Sequence, residues 1–554
     1  MKHLFSSRKK VLTGVLLLCA VIAVVGFKLA DSEYFFKVNK SIDIFGRVYK
    51  EITLNYVDEV DPEKFMESGI DGLLGTLDPY TNFINEHEGD EVELITTGKY
   101  GGIGVTIGQR DGYITILTLM DGYSAQRQGL QPGDRILEID GTVMSGLRPD
   151  GVRSLTRGEP GTEVRLKIER EGEKAPLEFV LVREQIQLKN ISYADFIGDG
   201  VAYVHIERFS RSAGDELRLA IKDLKLKGDI KSVILDLRDN PGGLLDEAVD
   251  VVEKFAAKGS LVVSTRGRKP DSEKKYFATE EPMLPDVPLI VLVNRNSASA
   301  SEIVAGAIQD LDRGVILGTR SFGKGLVQTI APLSYNTQLK ITTAKYYTPS
   351  GRCIQEIDYM HKNNEGVFAI TPDSLRAQFK TLKGRVEYER GGIAPDTVVN
   401  EPDASALQKE LLRKSMYFKF ASRYASAHKE QPSAIDAAQL AKDFQSYLDE
   451  QKFTYQDDGE SKLKELSDVA DKSKYSPAVK EIIDHLKAQL ENEKTKGIDR
   501  NKDEVLRALT MEIMSRYKGE RGRIEASLAG DVQLQSAKAL LSNKKEYERR
   551  LASR

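Results

Sequence analysis

The stretch from Pro288 to Gln328, PLIVLVNRNSASASEIVAGAIQDLDRGVILGTRSFGKGLVQ, leaves this chain few architectures. Its β-branched opening, Pro288 to Val293, has the length and continuity of a buried strand. Small residues follow, Ser297-Ala298-Ser299-Ala300-Ser301, and then a helical pattern from Glu302 to Leu311. A short strand, Val315 to Leu317, leads into Ser321-Phe322-Gly323-Lys324-Gly325, a lysine held between two glycines. The pattern is a strand, a tight elbow, a helix and a second strand ending in a glycine turn.

A serine at a strand-to-helix elbow presents its hydroxyl beside a helix N-terminus, where backbone N–H groups can stabilise an oxyanion. A lysine on the turn after the next strand could reach that hydroxyl, which gives the two parts of a serine–lysine hydrolase. Spacing alone leaves Ser297, Ser299 and Ser301 all open as the nucleophile. The lysine carries a cost, because at its reference pKa of about 10.4 only on the order of one molecule in a thousand is neutral near pH 7.5. Its site must desolvate it, and Phe322, Leu326 and Val327 supply apolar neighbours.

Two other readings compete. Gly318-Thr319-Arg320-Ser321-Phe322-Gly323-Lys324-Gly325 nearly spells a phosphate-binding loop. Gly325 stands where a magnesium-binding Ser or Thr is needed, and Leu326 to Ile330 reads as strand where helix is required. A Ser-His-Asp hydrolase is the other. Of six histidines, His205 is the best placed, on a core strand beside Ile206 and Glu207.

At 554 residues the chain is too long for one core. It is 40% hydrophobic and 30% charged, with a net charge of -4, which gives no support for nucleic-acid binding. Its two cysteines, Cys19 and Cys353, form no metal-type pattern. Lys2, Arg8, Lys9 and Lys10 precede an apolar run from Val11 to Phe27, the signature of a signal sequence or membrane anchor over 1–30. No small-x-small cleavage site follows, so an uncleaved anchor is expected, with the body of the protein outside the cytoplasmic membrane, in the periplasm.

Apolar spacing of three and four predicts a helical region over 31–97, in which Phe45, Val48, Tyr49, Ile52 and Tyr56 recur and Leu77-Asp78-Pro79-Tyr80 breaks the pattern. From Gly98 short strands and glycine turns take over. Tyr100-Gly101-Gly102-Ile103-Gly104-Val105, Gly129-Leu130-Gln131-Pro132-Gly133-Asp134 and the alternating Val164–Ile168 make 98–184 resemble a PDZ domain. That resemblance implies that Gly101, Gly102, Ile103 and Gly104 hold a peptide's terminal carboxylate, Ile103 helping to line the side-chain pocket, while the peptide adds as a strand. A dinucleotide loop is excluded because Gly104 leads into a strand, not a helix.

Over 185–400 strands and helices alternate: Val201 to Ile206, a helix from Gly214 to Leu226, Ser232 to Leu237, then Asp239-Asn240-Pro241-Gly242-Gly243 and a helix from Leu244 to Phe255. Paired glycines let backbone N–H groups approach a reacting carbonyl. Residues 401–554 read as charge-rich helices, Leu407 to Phe420 and Asp503 to Met514 among them. Solvated helices around a modest core, or a surface for homo-oligomers or an adaptor, are expected there.

With these residues in view the chain resembles the C-terminal processing peptidases, a tail-specific serine protease family. The likeness runs from about Tyr34 to Asn400 and rests on Ser-Ala-Ser-Ala-Ser-Glu, Gly-Lys-Gly-x-x-Gln, Asn-Pro-Gly-Gly and Tyr-Tyr-Thr-Pro-Ser-Gly-Arg. It implies a multidomain α/β fold, with a Clp protease/crotonase-like catalytic core, an inserted β-rich PDZ domain and helical N- and C-terminal regions. It implies Ser299 as nucleophile, Lys324 as base, Gln328 orienting the lysine, and an oxyanion hole from the Ala300 N–H with Gly242 or Gly243. The expected substrates are proteins with apolar C-termini, with no cofactor or metal. A non-catalytic PDZ scaffold or chaperone is the alternative. The segment Glu356 to Arg390 departs from the family pattern and is expected to form an excursion at the core's edge.

Overall fold

The computed structural model describes residues 33–552 apart from 87, 148, 363–367, 371, 373, 375, 390 and 433–434. The apolar run Val11 to Phe27 lies outside the described residues. Among those residues no helix is long and apolar enough to cross a membrane.

The chain divides into two units, residues 1–85 with 330–341, and 86–329 with 342–554. In the first, a helix over 33–55 precedes Pro62–Leu74, which starts at a proline capped by Asp61. Tyr49 stacks on Phe65 with centroids 5.6 Å apart, and Asn82–Ile84 pairs antiparallel with Gln338 to Lys340. That short strand was not expected from the helical pattern.

The second unit is built on a six-stranded sheet whose spatial order is its chain order: β1 (Ile191–Phe196), β2 (Val201–Ile206), β3 (Ser232–Asp236), β4 (Leu289–Val293), β5 (Val315–Gly318) and β6 (Thr397–Val398). Only β1–β2 is antiparallel; the other four pairings are parallel. The crossovers carry α1 (Ala213–Lys227), α2 (Leu245–Glu253) and α3 (Ala300–Asp310). When strands add in one direction, right-handed crossovers place every helix on the same face. Accordingly Val204, Leu235 and Val291 pack in one cluster with Leu217, Val251 and Val304 from the three helices.

That topology leaves the opposite face bare, and the end of the chain fills it. Tyr203, Ile234, Ile290 and Leu317 pack against Leu534, Ala537 and Leu540 of α4 (Val532–Ser542) and Tyr547 and Leu551 of α5 (Lys544–Leu551). The Tyr547 hydroxyl donates to the Leu289 carbonyl at 3.1 Å and accepts its N–H at 2.9 Å. The sheet is thus covered on both faces, as a parallel sheet of continuous apolar strands requires.

The PDZ segment is a six-stranded antiparallel sheet with the helix Pro149–Thr156 against it. Its alternating strand Glu163–Glu169 buries Val164, Leu166 and Ile168. Lys419 ion-pairs with Asp111 at 2.7 Å, docking the PDZ on the C-terminal helices. The helix expected over Leu407–Phe420 is two, Ala406–Arg413 and Met416–Ala427, broken at Ser415 with φ 56°. The break turns Tyr417 and Phe420 onto Phe444, at 5.4 and 5.2 Å between ring centroids, a tertiary demand with no local signal. In the excursion after Gln355, Ile357–Lys362 pairs with Phe368–Ile370 and Gln378–Lys380 with Val386–Tyr388.

Candidate active site

Three loops leave the carboxyl ends of β3, β4 and β5, the edge where open α/β sheets place their sites. They carry Gly242-Gly243, Ser299 and Lys324.

The three serines at the elbow have different fates. Ser297 is fully buried; its hydroxyl donates to the Leu237 carbonyl at 2.7 Å and accepts the Asn294 N–H at 2.9 Å. Ser301 is fully buried and donates to the Asn240 carbonyl at 2.9 Å. Ser299 alone is partly exposed. Its backbone stands at φ 57°, ψ -113°, a conformation costing a non-glycine residue about 1–3 kcal/mol and typical of functional elbows.

Ser299 and Lys324 are tied together through their backbones. One carboxylate oxygen of Glu302, Oε2, accepts the Ser299 N–H at 2.8 Å and the Lys324 N–H at 2.9 Å. The other, Oε1, accepts the Ser321 hydroxyl at 2.6 Å and the Gly323 N–H at 2.7 Å. Glu302 is fully buried, and burial pushes its carboxyl up to about 7 against the opposing pull of those four donors. On the carbonyl side, the buried Tyr346 hydroxyl lies 2.9 Å from the Ser299 oxygen and 2.5 Å from the Lys324 oxygen. Lys324 is half-buried, with Leu326 buried and Phe322 exposed beside it.

The glycine pair is also distinguished. Asn240 Oδ1 accepts the Gly242 N–H at 2.8 Å. The Gly242 carbonyl accepts the Phe209 N–H at 3.1 Å, so the Gly243 N–H, across the same planar trans peptide, points away from Phe209. Among the described residues that N–H donates to no acceptor. Ala300 opens α3, where a helix leaves its first N–H groups without intrahelical partners. Gly242 abuts the elbow: a Cβ there would stand 2.8 Å from both Ala300 N and Ser299 Cβ.

Gln328 Nε2 donates to Thr342 Oγ1 at 3.2 Å. His205 shares with Tyr203 the sheet face opposite α3, since alternate strand residues point the same way, and its Nδ1 bonds the Ser192 hydroxyl at 2.7 Å. In the PDZ, a groove of about 300 Å³ is lined by Gly102, Ile103, Gly104, Ile107, Met120 and Arg157. Gly101 sits in the pairing of Lys99–Gly102 with Glu184–Gln187, opposite Gln185.

Sequence reasoning missed Glu302 and Tyr346. Ser299-x-x-Glu302 has the spacing of a capping box, and Tyr346 opens Tyr-Tyr-Thr-Pro-Ser-Gly-Arg, but a bridge between two loops is visible only once the loops meet.

The model of Peptidase family S41 matches residues 200–373, a PDZ model matches 115–170, and "Probable PDZ-protease, C-terminal helical domain" matches 407–541. The chain is 38% identical to a carboxy-terminal-processing protease of Bartonella bacilliformis, over 66% of this chain and 81% of that protein. The chain belongs to peptidase family S41, with the carboxy-terminal processing proteases. It is 33% identical to the carboxy-terminal processing protease CtpB of Bacillus subtilis, over 64% of this chain and 72% of that one. A photosystem II D1 C-terminal processing protease aligns at TM-score 0.35 and 24% identity, over 64% and 92%. As an S41 member the chain is a serine peptidase with an S41 core, a PDZ domain and a helical C-terminal region.

Proposed function

We propose that this S41 peptidase is an endopeptidase in which Ser299 is the nucleophile and Lys324 the general base, acting on proteins whose apolar C-termini the PDZ domain captures. The observation that carries the assignment is the fate of the three serines. Ser297 and Ser301 spend their hydroxyls on buried carbonyls, while Ser299 stands partly exposed on a strained elbow that Glu302 ties to the Lys324 backbone.

In this reading the neutral Lys324 amine takes the Ser299 Oγ proton as Oγ attacks the scissile carbonyl. The oxyanion forms against the N–H groups of Ala300 and Gly243, worth about 3–4 kcal/mol per donor in comparable sites. Gly243 is preferred over Gly242, whose N–H already serves Asn240. The proton then passes to the leaving amine, and water, deprotonated by Lys324, releases the acyl group. Gln328 is close in sequence to the lysine and steadies the strand behind it through Thr342. Docked as an added strand at the PDZ groove, a peptide would place its carboxylate at Gly102 to Gly104, with Arg157 supplying positive charge nearby. The apolar run Val11 to Phe27 would hold the body at the outer face of the cytoplasmic membrane.

The test is degradation of an unfolded protein with an apolar C-terminus by wild type, Ser299→Ala and Lys324→Ala, with and without EDTA. Both variants should be inactive and chelator without effect. Cleavage surviving Lys324→Ala would place the base elsewhere, and binding without cleavage by wild type would favour a scaffold.

A further inference from the structure

The last helical layer does more than cover the sheet. Where β3 ends, Asp236 and Arg238 form a buried pair: Arg238 Nε lies 2.9 and 3.0 Å from the two Asp236 carboxylate oxygens, and Nη2 reaches Oδ2 as well. Tyr203 donates its hydroxyl to Asp236 Oδ2 at 2.7 Å. Burial, the largest influence on the Asp236 carboxyl, would raise it, but the Arg238 guanidinium holds it below its ordinary value.

The outer side of that guanidinium is met from almost three hundred residues along the chain. Arg238 Nη2 donates to Asp531 Oδ2 at 2.6 Å, and Nη1 to Gln533 Oε1 at 3.1 Å. Asp531 is the N-cap of α4, where its Oδ1 accepts the Leu534 N–H at 2.9 Å, so its two oxygens serve two tasks. Gln533 is fully buried and donates to the Val399 carbonyl at 2.8 Å. Glu401 also approaches Nη1, at 3.9 Å, but is well exposed.

Arg238 is the second residue of the loop that runs from β3 to Gly243. Asp239, at φ 59°, is pinned by Asn294 and Asn296, and Asn240 by Ile206 and Gly242. The loop is therefore held at the surface through Asp239 and in the core through Asn240, while at its entry Arg238 is held from inside by Asp236, which also accepts its N–H at 2.9 Å, and from outside by Asp531.

We propose that Asp531 is a positioning residue for the oxyanion loop: through Arg238 the C-terminal helical region fixes the path along which Gly243 presents its N–H. This rests on the reading of Ser299 and Gly243 given above. Replacing Asp531 by a neutral residue leaves Arg238 its pair with Asp236 but takes the charged contact from the outer side of the guanidinium, and the segment that carries that side chain runs on to Gly243.

The experiment compares full-length wild type with Asp531→Asn and Asp531→Ser, both of which still cap a helix. Tyr547→Phe serves as control, because it cuts a bond from the same layer to the distant end of β4. Cleavage by wild type and its loss in Ser299→Ala establish the underlying reading separately. With that in hand, both Asp531 variants should lower kcat by 10-fold or more with KM within twofold, at a temperature where melting curves show them folded. Asp531→Glu should recover part of the loss, and Tyr547→Phe should lower Tm without lowering kcat. A folded Asp531→Asn with wild-type kcat would overturn the proposal, as would an equal fall in kcat from Tyr547→Phe. Should Asp531→Asn melt too low to assay, Asp531→Ser decides by the same criterion.

Discussion

The hydroxyl of Tyr346 lies 2.9 Å from the carbonyl oxygen of Ser299, and the same hydroxyl reaches the Lys324 carbonyl. On the other side of both residues, Glu302 Oε2 accepts their two N–H groups. Ser299 and Lys324 thus occupy two loops held by a shared acceptor and a shared donor. Positioning of this kind lowers a barrier by prepaid orientation rather than by chemistry.

Tyr346→Phe removes one hydroxyl and keeps the ring in its buried site. The expected loss of stability is about 1 kcal/mol, one net hydrogen bond. The expected fall in kcat is larger, on the order of 10-fold, with KM little changed. Steady-state kinetics on a peptide substrate together with thermal melts separate the two effects.

Glu302 makes stability and activity respond to pH in opposite senses. Its folded-state pKa, about 7, lies above its unfolded value near 4.5, so the folded protein binds the extra proton between those values. The stabilisation is full below about 4.5 and is lost as pH rises through about 7, of the order of 3 kcal/mol in all. Activity should run the other way, because only the carboxylate accepts all four donors from Ser299, Ser321, Gly323 and Lys324. Glu302→Gln, whose amide turns N–H groups toward donors, should abolish this stability slope and most of the activity. Melts from pH 5 to 8 on wild type and variant check it.

Ser297→Ala and Ser301→Ala each strip a buried carbonyl of a donor, at a cost of about 1–3 kcal/mol. Both should keep cleavage within a few fold of wild type, whereas Ser299→Ala should keep none. Urea melts and cleavage rates on the three variants would expose an error if either flanking serine proved the essential one.

Gly242→Ala should be more damaging to catalysis than its size suggests. The position has φ 100°, disfavoured for any side chain, and the new Cβ would meet Ser299 Cβ and Ala300 N at 2.8 Å. A loss of activity on the order of 100-fold is expected, the scale for a spoiled oxyanion donor. Retention of normal rates would show that the hole lies away from this loop.

Much of the core was legible because its signals are local. The strand Val201–Ile206 was read to the residue, and those around Val291 and Ile316 to within one, since continuous β-branched runs bounded by turns can be little else. The helix after Ser299 was read two residues late, because Ala300 and Ser301 looked like part of the turn. What stayed hidden depends on distant partners. Nothing in the charge-rich pattern of 532–551 marks it as the second layer of a sheet whose strands begin at Ile191. That role follows from the handedness of the crossovers, which bares one face. The choice among Ser297, Ser299 and Ser301 rested on family resemblance. It becomes physical only when the carbonyls of Leu237 and Asn240 come to claim two of them. Likewise, Gly242 and Gly243 are equivalent until Asn240 turns back on one of them.

The most direct test of the account is to trap the covalent intermediate. Wild type mixed with a peptide ester bearing an apolar C-terminus would be quenched in acid within the first turnover, digested and analysed by mass spectrometry. The account predicts one acylated residue, Ser299, and no adduct in Lys324→Ala. Acylation at Ser297, Ser301 or any other residue, or full acylation of Ser299 in the absence of Lys324, would contradict it.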